Sequence, residues 1–279
     1  MKRVSVTRRH LAAFRAYLWK EEKSRATVEK YLRDMACFAQ FAADRPVSRE
    51  IAIAWKQYLE GRGYAVRTIN SMLVSLNRFL EFLGRSDCRV KTIRVQRQTY
   101  SAAEQELSRE EYLRLLTAAQ NRPQLHLVIE TICATGIRVS ELRHFTAEAV
   151  RQSEVTIHCK GKIRTILIPG ALRKKLLRFA ASRGIAAGPI FLTRGGKPLD
   201  RSTVWRQMKS LCGLAGVNPA KVFPHNLRKL FARTFYAMEK DIAKLADILG
   251  HSSIETTRIY LMTTGREHLR KLERLGLVT

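Results

Sequence analysis

Twelve residues near the C-terminus, LGHSSIETTRIY at 249–260, bring an imidazole, His251, and a phenol, Tyr260, close to one another. A phenol has an ordinary pKa of about 10, so at neutral pH it attacks poorly unless cations and a proton acceptor surround it. The chain carries candidates for both. Arg138 lies in TGIRVSEL, Lys160 in HCKGKIR, and His225 with Arg228 in PHNLRK. Arg138 and Arg228 can neutralise the non-bridging oxygens of a phosphodiester, the electrostatic work that metal ions do in many nucleases. Tyr260 would attack the phosphorus in line, with His225 as general base or proton relay and Lys160 as general acid for the leaving 5′-oxygen. His251 would hydrogen-bond the phosphate or the attacking phenol. The sequence has no acidic cluster of the metal-binding type, so no metal is expected.

Local signals say how these side chains would be held. Ser252 and Glu255 have the spacing of a capping box, which predicts a helix from about Ser253 with Tyr260 in its second turn. Pro224 predicts a helix start, and the three-residue step from His225 to Arg228 places both on one face. Gly136 predicts the end of a helix over 124–134, and Arg138 then falls at the first turn of a helix through VSELRHF. A cation there opposes the macrodipole unless an anion binds the free amides and the guanidinium together, or Glu141 pairs with it. VTIHCK and IRTILIP alternate around a turn at Gly161 and predict a hairpin, with Lys160 at the end of its first strand and Lys162 a close competitor. A helix over 171–182, a short strand over 189–192, a turn at Gly195–Gly196 and a helix over 201–214 follow. A helix over 242–249, ending at Gly250, leads to His251.

Upstream, residues up to Gly84 read as four helices, over 10–22, from Ser24 onward, over 49–60 and over 68–83, each with an apolar stripe at three- and four-residue steps. Their opposite faces carry Arg25, Lys30, Arg33, Arg67 and Arg78, which could meet phosphates or simply be solvated. The rhythm lapses over 85–106, a basic and polar stretch read as a linker. Ser108 and Glu111 form another capping box and open a second domain. Three segments are expected: 1–84, a helical DNA-binding domain; 85–106, a basic linker; and 107–279, a catalytic domain whose leucine-spaced tail ends in a helix.

Bulk properties agree with that reading. The excess of 51 basic over 24 acidic residues, +27, suits a polyanionic partner, and nucleic acid leads over an anionic membrane. No apolar run is long enough for a membrane span, and MKRVSVTRRH lacks a signal-peptide core, so a cytoplasmic, nucleoid-associated location is expected. The 5 scattered cysteines form no Cys-x-x-Cys pair and read as reduced thiols.

In this order Arg138, Lys160, His225, Arg228, His251 and Tyr260 resemble the signature of the tyrosine recombinases, the integrase-type site-specific recombinases, and Xer-like members most closely. From Arg228 the steps of 23 residues to His251 and 9 more to Tyr260 are similar to those members. Two departures stand out: Cys159 replaces the usual glycine before the lysine, and Lys229 replaces a frequent second histidine. The resemblance implies a mainly α fold with a small β-sheet, as an N-terminal helical, SAM-like core-binding domain plus an α+β catalytic domain. It implies double-stranded DNA with specific recombination sites as partner, a homo-tetramer on DNA, accessory or directionality proteins, a Holliday junction, and a 3′-phosphotyrosyl intermediate that conserves the bond energy, so that no cofactor is expected. It also implies that the tail docks on a neighbouring protomer. Two other readings stand beside it: a type IB topoisomerase-like activity, and a DNA-binding regulator without chemistry.

Overall fold

The computed structural model describes residues 5–95, 106–159, 162–261, 269–270 and 273–275. The chain divides into two compact units, Met1–Arg97 and Gln98–Thr279. None of the helices among the described residues is long and apolar enough to cross a membrane.

The first unit is built from α1 (Arg8–Lys20), α2 (Arg25–Ala42), α3 (Arg49–Gly61) and α4 (Val66–Phe82). Ser24 and Ser48 cap α2 and α3 by accepting from the amides of Thr27 and Ile51, which satisfies donors that no helical carbonyl reaches. The stripe on α4 buries Ile69, Leu73, Leu76, Phe79 and Leu80 against Phe14, Leu18, Met35 and Phe38. Of the five basic residues expected on outer faces, Lys30 turns inward. Its ammonium bonds Asp34 at 2.6 Å, the Ser71 carbonyl at 2.8 Å and Ser75 at 3.0 Å, joining α2 to α4. Arg78 is held by Glu21 and by Glu81 and lies over the Tyr17 ring. Arg25 pairs with Glu29 on the surface, while Arg33 and Arg67 are exposed. The start of the expected linker is not a free tether. Cys88 and Val90 are buried in this core, Asn77 exchanges two hydrogen bonds with the backbone of Val90, and Asn70 does the same with Ile93.

The second unit runs through α5 (Arg109–Ala118), α6 (Pro123–Thr135), α7 (Ala147–Arg151), β1 (Glu154–Cys159), β2 (Lys162–Leu167), α8 (Gly170–Ser182), α9 (Arg201–Lys209), α10 (Cys212–Ala215), α11 (Pro224–Glu239), α12 (Ile242–Leu249) and α13 (Ile254–Arg258). β1 and β2 form an antiparallel two-stranded sheet with Val155 opposite Ile166. The fold is thus mainly α with a small sheet. Ser108 and Glu111 close the expected capping box on α5. α6 is the buried centre, with Leu125, Val128, Ile129 and Ile132 packed among Leu172, Leu176, Leu227 and Leu230.

Four local expectations differ. The strand expected over 189–192 reduces to isolated bridges, Thr146 with Pro189 and Leu192 with Pro198, because proline lacks the N–H that would extend a ladder. The helix expected over 201–214 breaks after Lys209, where the Ser210 hydroxyl donates to the Gln207 carbonyl and competes with the helical pattern. VSELRHF forms a 3-10 turn, Val139–His144, instead of an α-helix. Near the C-terminus Ser253, not Ser252, is the N-cap, and α13 ends before Tyr260. Tyr260 lies in the turn that follows, its amide bonded to the Thr257 carbonyl at 2.9 Å. Of the leucine-spaced tail, most lies outside the described residues.

Candidate active site

Two glycines set the backbone around the site. Gly136 ends α6 with φ +64°, and a Cβ there would strike the Phe231 ring of α11. That left-handed turn aims its carbonyl at Arg228. Gly250 ends α12 with φ +63°, and a Cβ there would lie 2.6 Å from Arg164 Cδ. It delivers His251 directly after the helix.

Arg228, in the second turn of α11, is 1% exposed. Its Nη1 donates to the Gly136 carbonyl, its Nη2 to the Leu249 carbonyl at 2.7 Å, and Nη2 also meets His251 Nε2 at 2.9 Å. Tyr260 is a further hydrogen-bonding partner. Nε is buried and has no partner among the described residues. Burial, and next the Arg138 charge, lower its pKa to about 10, so it stays a cation at neutral pH.

Arg138 caps the 3-10 turn and pairs with Glu141 at 3.1 Å, the carboxylate that sequence reasoning offered as an alternative to an anion. Its side chain remains 42% exposed, so pairing leaves donors for a ligand. Glu141 is buried, accepts from the Arg138 amide at 2.7 Å, and binds Arg164 of β2 on its other side. Arg164 in turn donates to the Ile248 carbonyl at 2.8 Å. The hairpin, the Arg138 turn and the end of α12 are thereby tied together.

Tyr260 is 7% exposed and packs with Ala232, Leu245 and Leu249. The rings of His225 and His251 each lie 5.2 Å from its ring, centroid to centroid. Burial, then the charges of Lys229, Arg228, Arg138 and Arg201, push His225 down to about 4. His225 is nonetheless exposed, and solvent screens those cations and tempers the depression. Burial, then Arg228, Arg138, Arg164 and His225, likewise push His251 down to about 4. Both imidazoles are therefore neutral at neutral pH and able to take a proton.

The structure brings Arg138, His225, Arg228, His251 and Tyr260 into one cluster. Lys160 lies outside the described residues. Sequence reasoning passed over Arg164 and Thr257. The Thr257 hydroxyl, fully buried, sits 2.8 Å from His251 Nδ1. Neither had a signal of its own, since an arginine in a strand and a threonine in a helix are ordinary residues there. Among the described residues, Arg138 and Arg164 share one carboxylate, Glu141, and both of their charges bear on Arg228, so the cluster carries excess positive charge suited to an anion.

A helical N-terminal unit, and a helical second unit that has one hairpin and carries an Arg–His–Arg–His–Tyr cluster, define the tyrosine recombinase fold. The chain belongs to the phage integrase family. The model of that family matches residues 105–266, and the phage integrase N-terminal SAM-like domain matches residues 11–96. The chain is 30% identical over 270 residues to the tyrosine recombinase XerA of Thermococcus kodakarensis, covering 93% of this chain and 92% of that one. In fold it is similar to a fragment of lambda integrase solved as a dimer bound to a COC′ core site, with a TM-score of 0.74, 19% identity and coverage of 93% and 96% of the two chains. Lambda integrase solved as a tetramer bound to a Holliday junction gives a TM-score of 0.72 at 19% identity, covering 92% of this chain and 77% of that one.

Proposed function

We propose that this chain is a site-specific DNA recombinase that cuts and rejoins double-stranded DNA through a 3′-phosphotyrosyl intermediate. The observation that carries the reading is the buried Arg228, its Nε without a partner among the described residues, beside a phenol flanked by two neutral imidazoles. A phosphodiester is the anion that answers this charge and gives the phenol something to attack. Arg138 and Arg228 take the non-bridging oxygens. Their charge is then partly neutralised, so His225 and His251 become more basic as the substrate arrives. The Tyr260 oxygen forms a bond to phosphorus while the bond to the 5′-oxygen breaks. The phenol proton passes to His225, and Lys160 protonates the leaving oxygen. Attack by the 5′-hydroxyl on the phosphotyrosine reverses the step, and because bond energy is retained no nucleotide cofactor is needed.

In this reading residues 1–84 bind DNA, 85–106 join the units, and 107–279 cut and rejoin, with the tail linking protomers. The tetrameric lambda integrase assembly on a Holliday junction supports a tetramer working on two sites. A nicked suicide substrate tests the chemistry. Wild-type protein should accumulate a covalent complex on denaturing gels, whereas Tyr260→Phe should bind DNA and form none. A 5′-phosphorothiolate, whose thiolate leaves without a proton, should rescue Lys160→Ala. Lys162→Ala should retain most activity on ordinary DNA. A covalent complex with the Tyr260 variant would remove it as the nucleophile, and thiolate rescue confined to the Lys162 variant would reassign the general acid.

A further inference from the structure

β2 turns an arginine inward and two aliphatic residues outward. In the hairpin register Arg164 stands opposite Ile157 and Ile166 opposite Val155, so Arg164 shares a face with three buried aliphatics, while Ile163 and Leu167 of the same strand are largely exposed. A slip of one residue would bury those two and free the charge. The Arg164 side chain is 14% exposed, and a charge taken that far from water costs stability unless something inside answers it. Packing alone therefore does not call for an arginine here.

Two groups answer it. Nη2 pairs with Glu141 Oε2, and Nη1 donates at 2.8 Å to the carbonyl of Ile248, in the last turn of α12, where the helix dipole also favours a cation. The stem of Arg164 runs against Gly250, which has no side chain to obstruct it. The next carbonyl, that of Leu249, takes Arg228 at 2.7 Å. Glu141 is shared, since Oε2 also accepts from the Arg138 amide at 2.7 Å and Oε1 meets Arg138 Nη1 at 3.1 Å. Facing Arg138 alone, this carboxylate would cancel its charge and offer both oxygens to a two-pronged grip by the same guanidinium. With Arg164 on Oε2, two guanidiniums stand against one carboxylate and a positive charge is left over. Arg138 is then engaged through Nη1, with its side chain still 42% exposed.

We propose that Arg164 is a positioning residue for strand cleavage: by occupying Glu141 from the β2 side, it leaves the Arg138 guanidinium and its charge to the phosphate. The proposal rests on the recombinase reading for the reaction it serves, though not for the contacts. Arg164 acts through Glu141, and its bond to the Ile248 carbonyl holds it in place to do so.

On a suicide substrate at saturating DNA, Arg164→Met should cleave at least about tenfold more slowly with a DNA binding constant within about threefold of wild type, and Arg164→Lys should recover most of the rate. In a Glu141→Gln background no carboxylate remains to be balanced, so Arg164→Met should cost no more than about threefold further. Removing both charges leaves neither one buried alone, so this comparison holds even where Arg164→Met by itself does not fold. Nitrogen NMR of the Arg138 guanidinium in the full chain reads the same effect without DNA: Arg164→Met should slow rotation about the Cζ–Nε bond as Glu141 takes hold with both oxygens. A folded Arg164→Met variant that cleaves at the normal rate would overturn the proposal. So would a loss that persists in the Glu141→Gln background, a loss matched by weaker binding, or Arg138 rotation unchanged by the substitution. Wild-type protein that cleaves no DNA would count against the recombinase reading, while slowed rotation would leave the relation among the three residues standing.

Discussion

Replacing Arg228 by methionine should separate what this side chain does for the fold from what it does for the reaction. A drop in pKa from 12.5 to about 10 means that the folded protein disfavours the cation by about 3 kcal/mol relative to water. Methionine, similar in length and uncharged, removes that cost. It also leaves the Gly136 and Leu249 carbonyls and His251 Nε2 without their donor. Each orphaned buried acceptor costs about 1–3 kcal/mol, less where water or a shifted side chain reaches it. The terms oppose: three such acceptors together cost about 3–9 kcal/mol against the charge-burial cost that is relieved, so Arg228→Met should be destabilised by no more than about 6 kcal/mol. Cleavage should behave quite differently. Loss of a preorganised charge on the phosphate should remove at least about 3 kcal/mol of transition-state stabilisation, roughly a hundredfold in rate. Chemical denaturation gives the first quantity, and single-turnover cleavage of a suicide substrate gives the second. A variant that is stable and cleaves normally would refute the assignment of Arg228 to the phosphate. A variant destabilised by clearly more than about 6 kcal/mol, beyond what the orphaned acceptors account for, would refute the view that burying this charge is a cost borne for function.

Other predictions follow from the same geometry. His225 and His251 titrate below their ordinary value in the folded protein, so between pH about 6.5 and about 4 the unfolded chain binds more protons than the native one. Stability should therefore fall as pH is lowered through that window, and neutral replacement of the pair, His225→Asn with His251→Asn, should flatten the fall in denaturation curves. A slope unchanged by the double replacement would place the titrating groups elsewhere. Gly136→Ala should cost at least about 1 kcal/mol from the left-handed backbone alone, and more because its Cβ meets Phe231; cleavage should drop with it, since the same turn carries the carbonyl that anchors Arg228. Asn70→Ala should lose about 1–3 kcal/mol of first-unit stability and raise hydrogen exchange at Ile93, whose amide it holds at 2.7 Å. Unchanged exchange there would show that the segment after α4 is held by its apolar contacts instead.

Much of this molecule was legible before its structure because the relevant signals are local. The α4 stripe, the Ser108–Glu111 box, the glycine stop at Gly136 and the Pro224 start each act within a few residues, and each formed as expected. Where two local signals competed, spacing alone could not choose. Ser252 and Ser253 both qualify as caps, and the choice of Ser253 accompanies a shorter helix that leaves Tyr260 in a turn with its ring buried. Lys30 looked like a surface cation because its partners, Asp34 aside, come from α4 and are more than 40 residues away. The arginines, histidines and tyrosine of the site declared themselves through order and chemistry. Arg164 and Thr257 did not, since their contacts exist only once β2, α12 and α13 meet.

The most direct test of the account is to trap the protein on a suicide DNA substrate, digest both components, and locate the nucleotide-bearing peptide by mass spectrometry. The account predicts a single adduct, with the 3′-phosphate esterified to Tyr260. An adduct on another residue, or bound DNA that is never joined to the protein, would contradict it.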